Sequence, residues 1–159
     1  MTIAGAYTDE ELSDLKTMPK TVTNPGARWL TKPKARPAHR QRTFQAEGVQ
    51  DQDVRISIYL RQSLADESDF SCGISYQPVG GPPLTLARYN GPSHEHGDIA
   101  YRAHIHRATE SAIATGKRPE SQAEESNRFE TLDGALACLI KDFNLRGLNA
   151  QPDKQRLFK

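Results

Sequence analysis

From residue 54 the chain alternates in hydrophobicity. Val54, Ile56, Ile58 and Leu60 are apolar and Arg55, Ser57, Tyr59 and Arg61 between them are polar, a period of two that predicts a half-buried strand over 54–61. Residues 70–77 repeat the pattern with Phe70, Cys72, Ile74 and Tyr76 on one face. Residues 40–47 form a candidate strand before these, and 84–90 a fourth after the turn Gly80-Gly81-Pro82-Pro83. A fifth is predicted over 101–107, where Tyr101, Ala103 and Ile105 face the core and Arg102, His104 and His106 line the opposite face. Short connections favour antiparallel pairing, because a parallel crossover needs about a dozen residues or more.

The period changes to that of a helix over 132–143. Leu132, Leu136, Leu139, Ile140 and Phe143 make one apolar stripe, with Thr131 as N-cap and Asp133 in the first turn, and the stripe should cover the apolar face of the sheet. At the other end Thr8 precedes Asp9, Glu10 and Glu11, an N-cap with acids at the positive helix end, and Leu12 and Leu15 give a thin apolar edge that stops near Met18-Pro19. Residues 108–114 are expected to make a helical turn closed by Gly116, and 119–126 a short helix with Pro119 in its first turn. The resulting expectation is one α+β domain over 1–159. It comprises an N-terminal helix (1–19), a basic Pro-containing extended segment (20–39), an antiparallel sheet of about five strands (40–107), a helical part (108–145) and a loose tail (146–159). The N- and C-terminal helices are expected on one face of the sheet.

Composition adds a modest core and an uneven charge. A chain of 159 residues suits one domain, and 36% hydrophobic residues with a mean hydropathy of -0.71 leave much polar surface. The net charge is +1, but residues 15–46 carry eight cations and no acid, whereas 8–14 carry four acids. Pro33 and Pro37 keep the basic segment extended around Trp29. Such a segment could track a phosphate backbone with Trp29 stacking on a base, could dock an acidic partner protein, or could be a solvated loop. Cys72 and Cys138 are too far apart in sequence to read as a zinc pair and are expected to be buried free thiols. With no hydrophobic signal region and no apolar run near 20 residues, the expectation is a cytoplasmic protein without a membrane role.

The chemistry concentrates in RYNGPSHEHGDIAYRAHIH, residues 88–106, which holds four of the five histidines as two His-x-His pairs. Histidine exists in both protonation states near neutrality, so one imidazole can act as general base on a 2'-hydroxyl while another acts as general acid on the leaving oxygen. His104 and His106 are the candidates for this metal-free phosphodiester cleavage, with Arg88 or Arg102 on the developing charge. Tyr59, Arg61, Tyr89 and Tyr101 on the strands, with Trp29, Arg36 and Arg40 from the basic segment, are candidate substrate contacts. No cofactor is expected for that reaction. His94, His96, Asp98, His104 and His106 also supply enough imidazole and carboxylate for Zn or another transition metal. The bland alternatives are a solvated loop turn at His94 and His96 and a merely polar sheet face at His104 and His106.

The order of these motifs carries a likeness. Arg88-Tyr89-Asn90, then His94 and His96, then His104 and His106, between an acidic N-terminal helix and a closing amphipathic helix, resemble an uncharacterised group of small bacterial domains. In the same layout the chain resembles the TumE-type toxins of bacterial toxin–antitoxin pairs, over roughly residues 84–143. The likeness implies a toxin- or defence-type role, with an antitoxin as acidic partner. The leading expectation is thus action on RNA or nucleotides as a metal-independent ribonuclease. The alternative is a non-catalytic module that binds nucleic acid or protein, and the third is a metal-dependent hydrolase.

Overall fold

The computed structural model describes residues 7–93, 102–118 and 120–153. Helix α1 (Asp9–Thr17) begins in a capping box: Glu11 N donates to Thr8 Oγ1 at 3.1 Å and Thr8 N donates to Glu11 Oε1 at 3.2 Å. It ends at Met18, because Pro19 cannot continue the ladder. The strands follow as β1 (Lys20–Val22), β2 (Leu30–Lys32), β3 (His39–Gly48), β4 (Arg55–Ser63), β5 (Phe70–Gln77), β6 (Leu84–Asn90) and β7 (His104–Arg107). Then come α2 (Glu110–Ala114), β8 (Gln122–Glu125), α3 (Leu132–Asp142) and β9 (Leu145–Arg146).

The α+β class holds, but the sheet is larger than five strands. Among the described residues it has nine, in the order β8-β7-β6-β5-β4-β3-β1-β9 with β2 also on β3. All pairs are antiparallel except β1 with β9, so the sheet is mixed. The added strands are short edge pieces. In the basic segment β1 pairs with the end of β3 and β2 with its start, while Asn24 between them takes Gln45 N on Oδ1 at 2.6 Å. Two further expectations are corrected. The region expected as a helix over 119–126 contains β8, because the exposed edge of β7 offers it a ladder from His104↔Glu125 to Arg107↔Gln122. The start of the expected tail is also ordered: Arg146, with Leu145 before it, pairs with β1, and Asp153 takes Thr131 N at 3.1 Å at the start of α3.

Core residues alternate along the strands as the pattern requires. Phe44, Ile56, Ile58, Leu60, Phe70, Cys72, Ile74, Tyr89 and Ile105 join Leu12 and Leu15 of α1 and Leu132, Ala135, Leu136 and Leu139 of α3 in one buried cluster. Helices α1 and α3 meet at their C-terminal ends around Lys20, which is fully buried. Its ammonium donates to Lys16 O at 3.1 Å, Met18 O at 2.9 Å and Phe143 O at 2.8 Å, three carbonyls at the negative ends of two helices. Burial lowers its pKa to about 8, so it is still charged at neutral pH.

One irregularity decides what faces what. In β5–β6, Ser75 pairs with Thr85 and Ile74 with Ala87, so Leu86 is an extra residue in β6. Strict alternation from Leu84 would have turned Arg88 and Asn90 into the core. The bulge flips the phase, so Tyr89 joins the core opposite Cys72, while Arg88 and Asn90 join Gly73 and Ser71 on the face away from the helices.

Candidate functional site

On that face, four neighbouring strands bring a row of polar side chains together. Asn90 of β6 stands opposite Ser71 of β5 on one side and His104 of β7 on the other; Arg88 stands opposite Gly73 and His106. Tyr59 of β4 lies across Gly73, where a Cβ would fall 2.2 Å from the tyrosine ring, so glycine makes room for it. The Tyr59 hydroxyl then lies 3.4 Å from Ser71 Oγ.

Hydrogen bonds run along this row in a consistent direction. Ser71 Oγ donates to Asn90 Oδ1 at 2.8 Å, and Asn90 Nδ2 donates to His104 Nε2 at 3.3 Å. His104 Nδ1 is 3.1 Å from Arg102 O, and a carbonyl only accepts, so the imidazole proton is assigned to Nδ1 and Nε2 is the acceptor. His106 has the same arrangement, with Nδ1 3.0 Å from Glu120 O. The two rings are 5.2 Å apart, edge to face, and each residue is 2% exposed. The expected outward parity of His104 and His106 is therefore correct, but they are buried rather than spread over an open polar surface.

Glu120 completes the cluster. Its carboxylate is almost fully buried, with Arg118 Nη2 3.1 Å and Arg88 Nη1 3.8 Å from Oε2. Arg88 Nε is buried without a hydrogen-bond acceptor. Neither Glu120 nor Ser71 was among the residues singled out from the sequence. Ser71 had a usable signal, since it sits at the outward parity of a cleanly alternating strand. Glu120 had none, because its position follows from the pairing of β8 with β7.

The other candidates are scattered. Arg102 is exposed and pairs with Glu125 Oε1 at 2.5 Å. Arg61 shares the helix-free face, 3.5 Å from His39 Nδ1. Arg40 is engaged internally, its guanidinium 4.0 Å from the Trp29 ring centre and both Nε and Nη2 donating to Gln62 Oε1. Arg36 is exposed. Tyr89 belongs to the opposite face, fully buried, with its hydroxyl donating to Asp142 Oδ2 at 2.5 Å. Burial and that bond raise the Tyr89 pKa far above the usual phenol range.

Tyr101, His94, His96 and Asp98 lie outside the described residues. Among the described residues no three His, Cys, Asp or Glu side chains are grouped as metal ligands. Cys72 is buried and Cys138 half-buried, both free thiols. No described helix is long and apolar enough to cross a membrane. Compared with protein-family models, with curated proteins and with solved structures, the chain matches nothing.

Proposed function

We propose that the protein acts on RNA or a nucleotide as a metal-independent phosphodiesterase of ribonuclease type, in a toxin- or defence-type role. The observation that supports it is the histidine pair: two imidazoles of the same tautomer, 5.2 Å apart, with the Arg88 position directly opposite His106. Held by Nδ1 to a main-chain carbonyl, each ring uses Nε2 for proton transfer. In the reaction the Asn90 amide first turns away from His104 Nε2, and neutral His104 then takes the 2'-hydroxyl proton as the 2'-oxygen attacks phosphorus. Protonated His106 gives its Nε2 proton to the departing 5'-oxygen, and Arg88 stabilises the charge on the phosphorane. Asn90 and Ser71 are positioning residues for His104. At 2% exposure the rings admit no phosphate in this conformation, so catalysis requires the helix-free face to open.

A second reading has its own observation. Arg28, Lys32, Lys34 and Arg36 are all exposed, on or beside the edge strand β2, and would bind an RNA backbone without cutting it. The test is cleavage of a mixed-sequence RNA in EDTA by the wild type and by His104→Gln/His106→Gln, with folding of both checked by circular dichroism. Cutting by wild type alone supports the histidine mechanism. Salt-sensitive binding without turnover replaces it by the binding module, and activity that appears only with added Zn replaces it by a metal-dependent hydrolase.

A further inference from the structure

Arg88 is an under-satisfied, half-buried cation. Its side chain is 24% exposed, its Nε is buried with no acceptor, and its ion pair with Glu120 is 3.8 Å long, beyond hydrogen-bond length. Glu120 lies beside it: its side chain is 5% exposed, and among the described residues its shorter ion pair, 3.1 Å, is with Arg118, whose side chain is 69% exposed. A single carboxylate oxygen is thus shared by two guanidinium groups, one from the middle of β6 and one from the segment before β8.

We propose that Arg88 and Arg118 form an oxyanion subsite for a phosphate group, and that the Glu120 carboxylate fills it as an internal competitor. A phosphate has the oxygens that one carboxylate lacks. The guanidinium edge that carries Nε also carries Nη2, so with a turn of the Arg88 side chain a phosphate can accept from that side-on fork and from Nη2 of Arg118 at the same time, while Glu120 swings out to water. The subsite lies beside the histidine pair, since Arg88 is opposite His106 in the ladder and the Glu120 carbonyl takes His106 Nδ1. This rests on the reading of the face as a phosphate-handling surface, and it adds that the resting site is blocked by its own carboxylate.

The Arg88 Nε–H resonance in a 1H–15N spectrum reports on the atom concerned. The full chain is titrated with inorganic phosphate and with pyrophosphate, as wild type, Glu120→Gln, Arg118→Gln and Arg88→Gln. The expected result is a shift of the Arg88 Nε–H signal on binding, with Glu120→Gln roughly tenfold tighter than wild type, the worth of one charge-assisted hydrogen bond. Arg118→Gln, at an exposed side chain, stays folded and binds more weakly, and Arg88→Gln, which lacks the reporter, shows no binding by titration calorimetry. Equal affinity of wild type and Glu120→Gln, or an Arg88 signal unmoved at saturation, would overturn the proposal. Affinity unchanged in Arg118→Gln would also overturn it, whatever the folding of Glu120→Gln. Phosphate capture by Arg88 in a protein that cuts no RNA keeps the subsite and removes the ribonuclease; RNA cutting with an Arg88 signal indifferent to phosphate removes the subsite alone.

Discussion

Asn90 and His104 face each other across the β6–β7 ladder, and Asn90 Nδ2 donates to His104 Nε2 at 3.3 Å. That bond can exist only while Nε2 carries a lone pair. If Nε2 gained a proton, two donors would meet, and the amide would have to turn over. Its Nδ2 would then point at Ser71, whose hydroxyl can rotate to accept. The neutral His104 tautomer and the Ser71 and Asn90 orientations are therefore one coupled choice.

The first prediction follows from that coupling. At neutral pH, 15N spectra should show a protonated Nδ1 and an unprotonated Nε2 for His104. Asn90→Ala and Ser71→Ala should each cost about 1 kcal/mol, and the double mutant should fall short of their sum by at least roughly 0.5 kcal/mol. Strict additivity in urea denaturation would mean that the row is not a network.

Two glycines separate a cost that relaxes from one that does not. At Gly73 an added Cβ meets the ring of Tyr59, a half-buried side chain that can swing toward solvent. At Gly91 it meets Ser68 O at 2.2 Å and the buried Phe70 ring at 2.7 Å, neither of which can retreat. Gly73→Ala should therefore cost about 1 kcal/mol, with loss of the Tyr59–Ser71 contact, and Gly91→Ala about 3 kcal/mol. Equal denaturation midpoints for the two variants would contradict this.

How far the sequence reveals the molecule depends on the length of each signal. The alternation alone places β5 at its observed bounds and β4 within two residues, because eight or nine alternating positions leave little freedom. Strands β1, β2 and β9, of two or three residues, are too short to show a period and exist because long β3, or β1 itself, offers an edge. Strand β8, Gln-Ala-Glu-Glu, has no strand propensity of its own and is drawn out by β7. The site was half visible. The alternation placed His104 and His106 together, but Arg88 and Asn90 reach them through a bulge at Leu86 that no residue type announces.

Lys20 is predicted to be needed where it is. Lys20→Met keeps most of the apolar stem but leaves the carbonyls of Lys16, Met18 and Phe143 facing a thioether, with two helix C-termini uncompensated. The expected loss is about 2 kcal/mol at pH 7, and Lys20→Ala should lose more, because it also leaves a cavity. A variant as stable as wild type would show that desolvating the ammonium cancels its three bonds.

The basic segment divides into two kinds of cation. Arg40 stacks on Trp29 and bonds Gln62, so Arg40→Ala should reduce stability by about 1 kcal/mol. Lys34 and Arg36 are exposed, so Lys34→Ala/Arg36→Ala should leave the thermal midpoint unchanged. If the segment binds RNA, the double variant should lower the slope of log affinity against log salt by roughly 1.4 for a single strand. An unchanged slope in filter binding would remove these two residues from any RNA interface.

On the opposite face the group through which acid should act is Asp142. Arg128 Nη1 and Nη2 hold its carboxylate in a fork at 2.9 and 2.8 Å, and the buried Tyr89 hydroxyl donates to the same group. Burial pushes the Asp142 carboxyl up, but the hydrogen bonds from Arg128 and Tyr89 outweigh it and leave it below the ordinary carboxylate range. The folded pKa is therefore lower than the unfolded value of about 3.9, and on acidification the unfolded chain binds the proton first. The stabilisation is complete above that unfolded value and disappears as pH falls through the folded one. Arg128→Gln removes the fork and leaves burial dominant, which raises the Asp142 pKa in the folded variant, so acidification relieves the buried charge there while it costs wild type its fork. The guanidinium is partly exposed and the pair correspondingly screened, so the difference at neutral pH should be about 1 kcal/mol. It should shrink toward zero as Asp142 becomes protonated in wild type too. Urea denaturation of both proteins from pH 7 down to pH 3 measures this, and a difference that stays constant with pH would show that Arg128 acts through packing and not through the charge of Asp142.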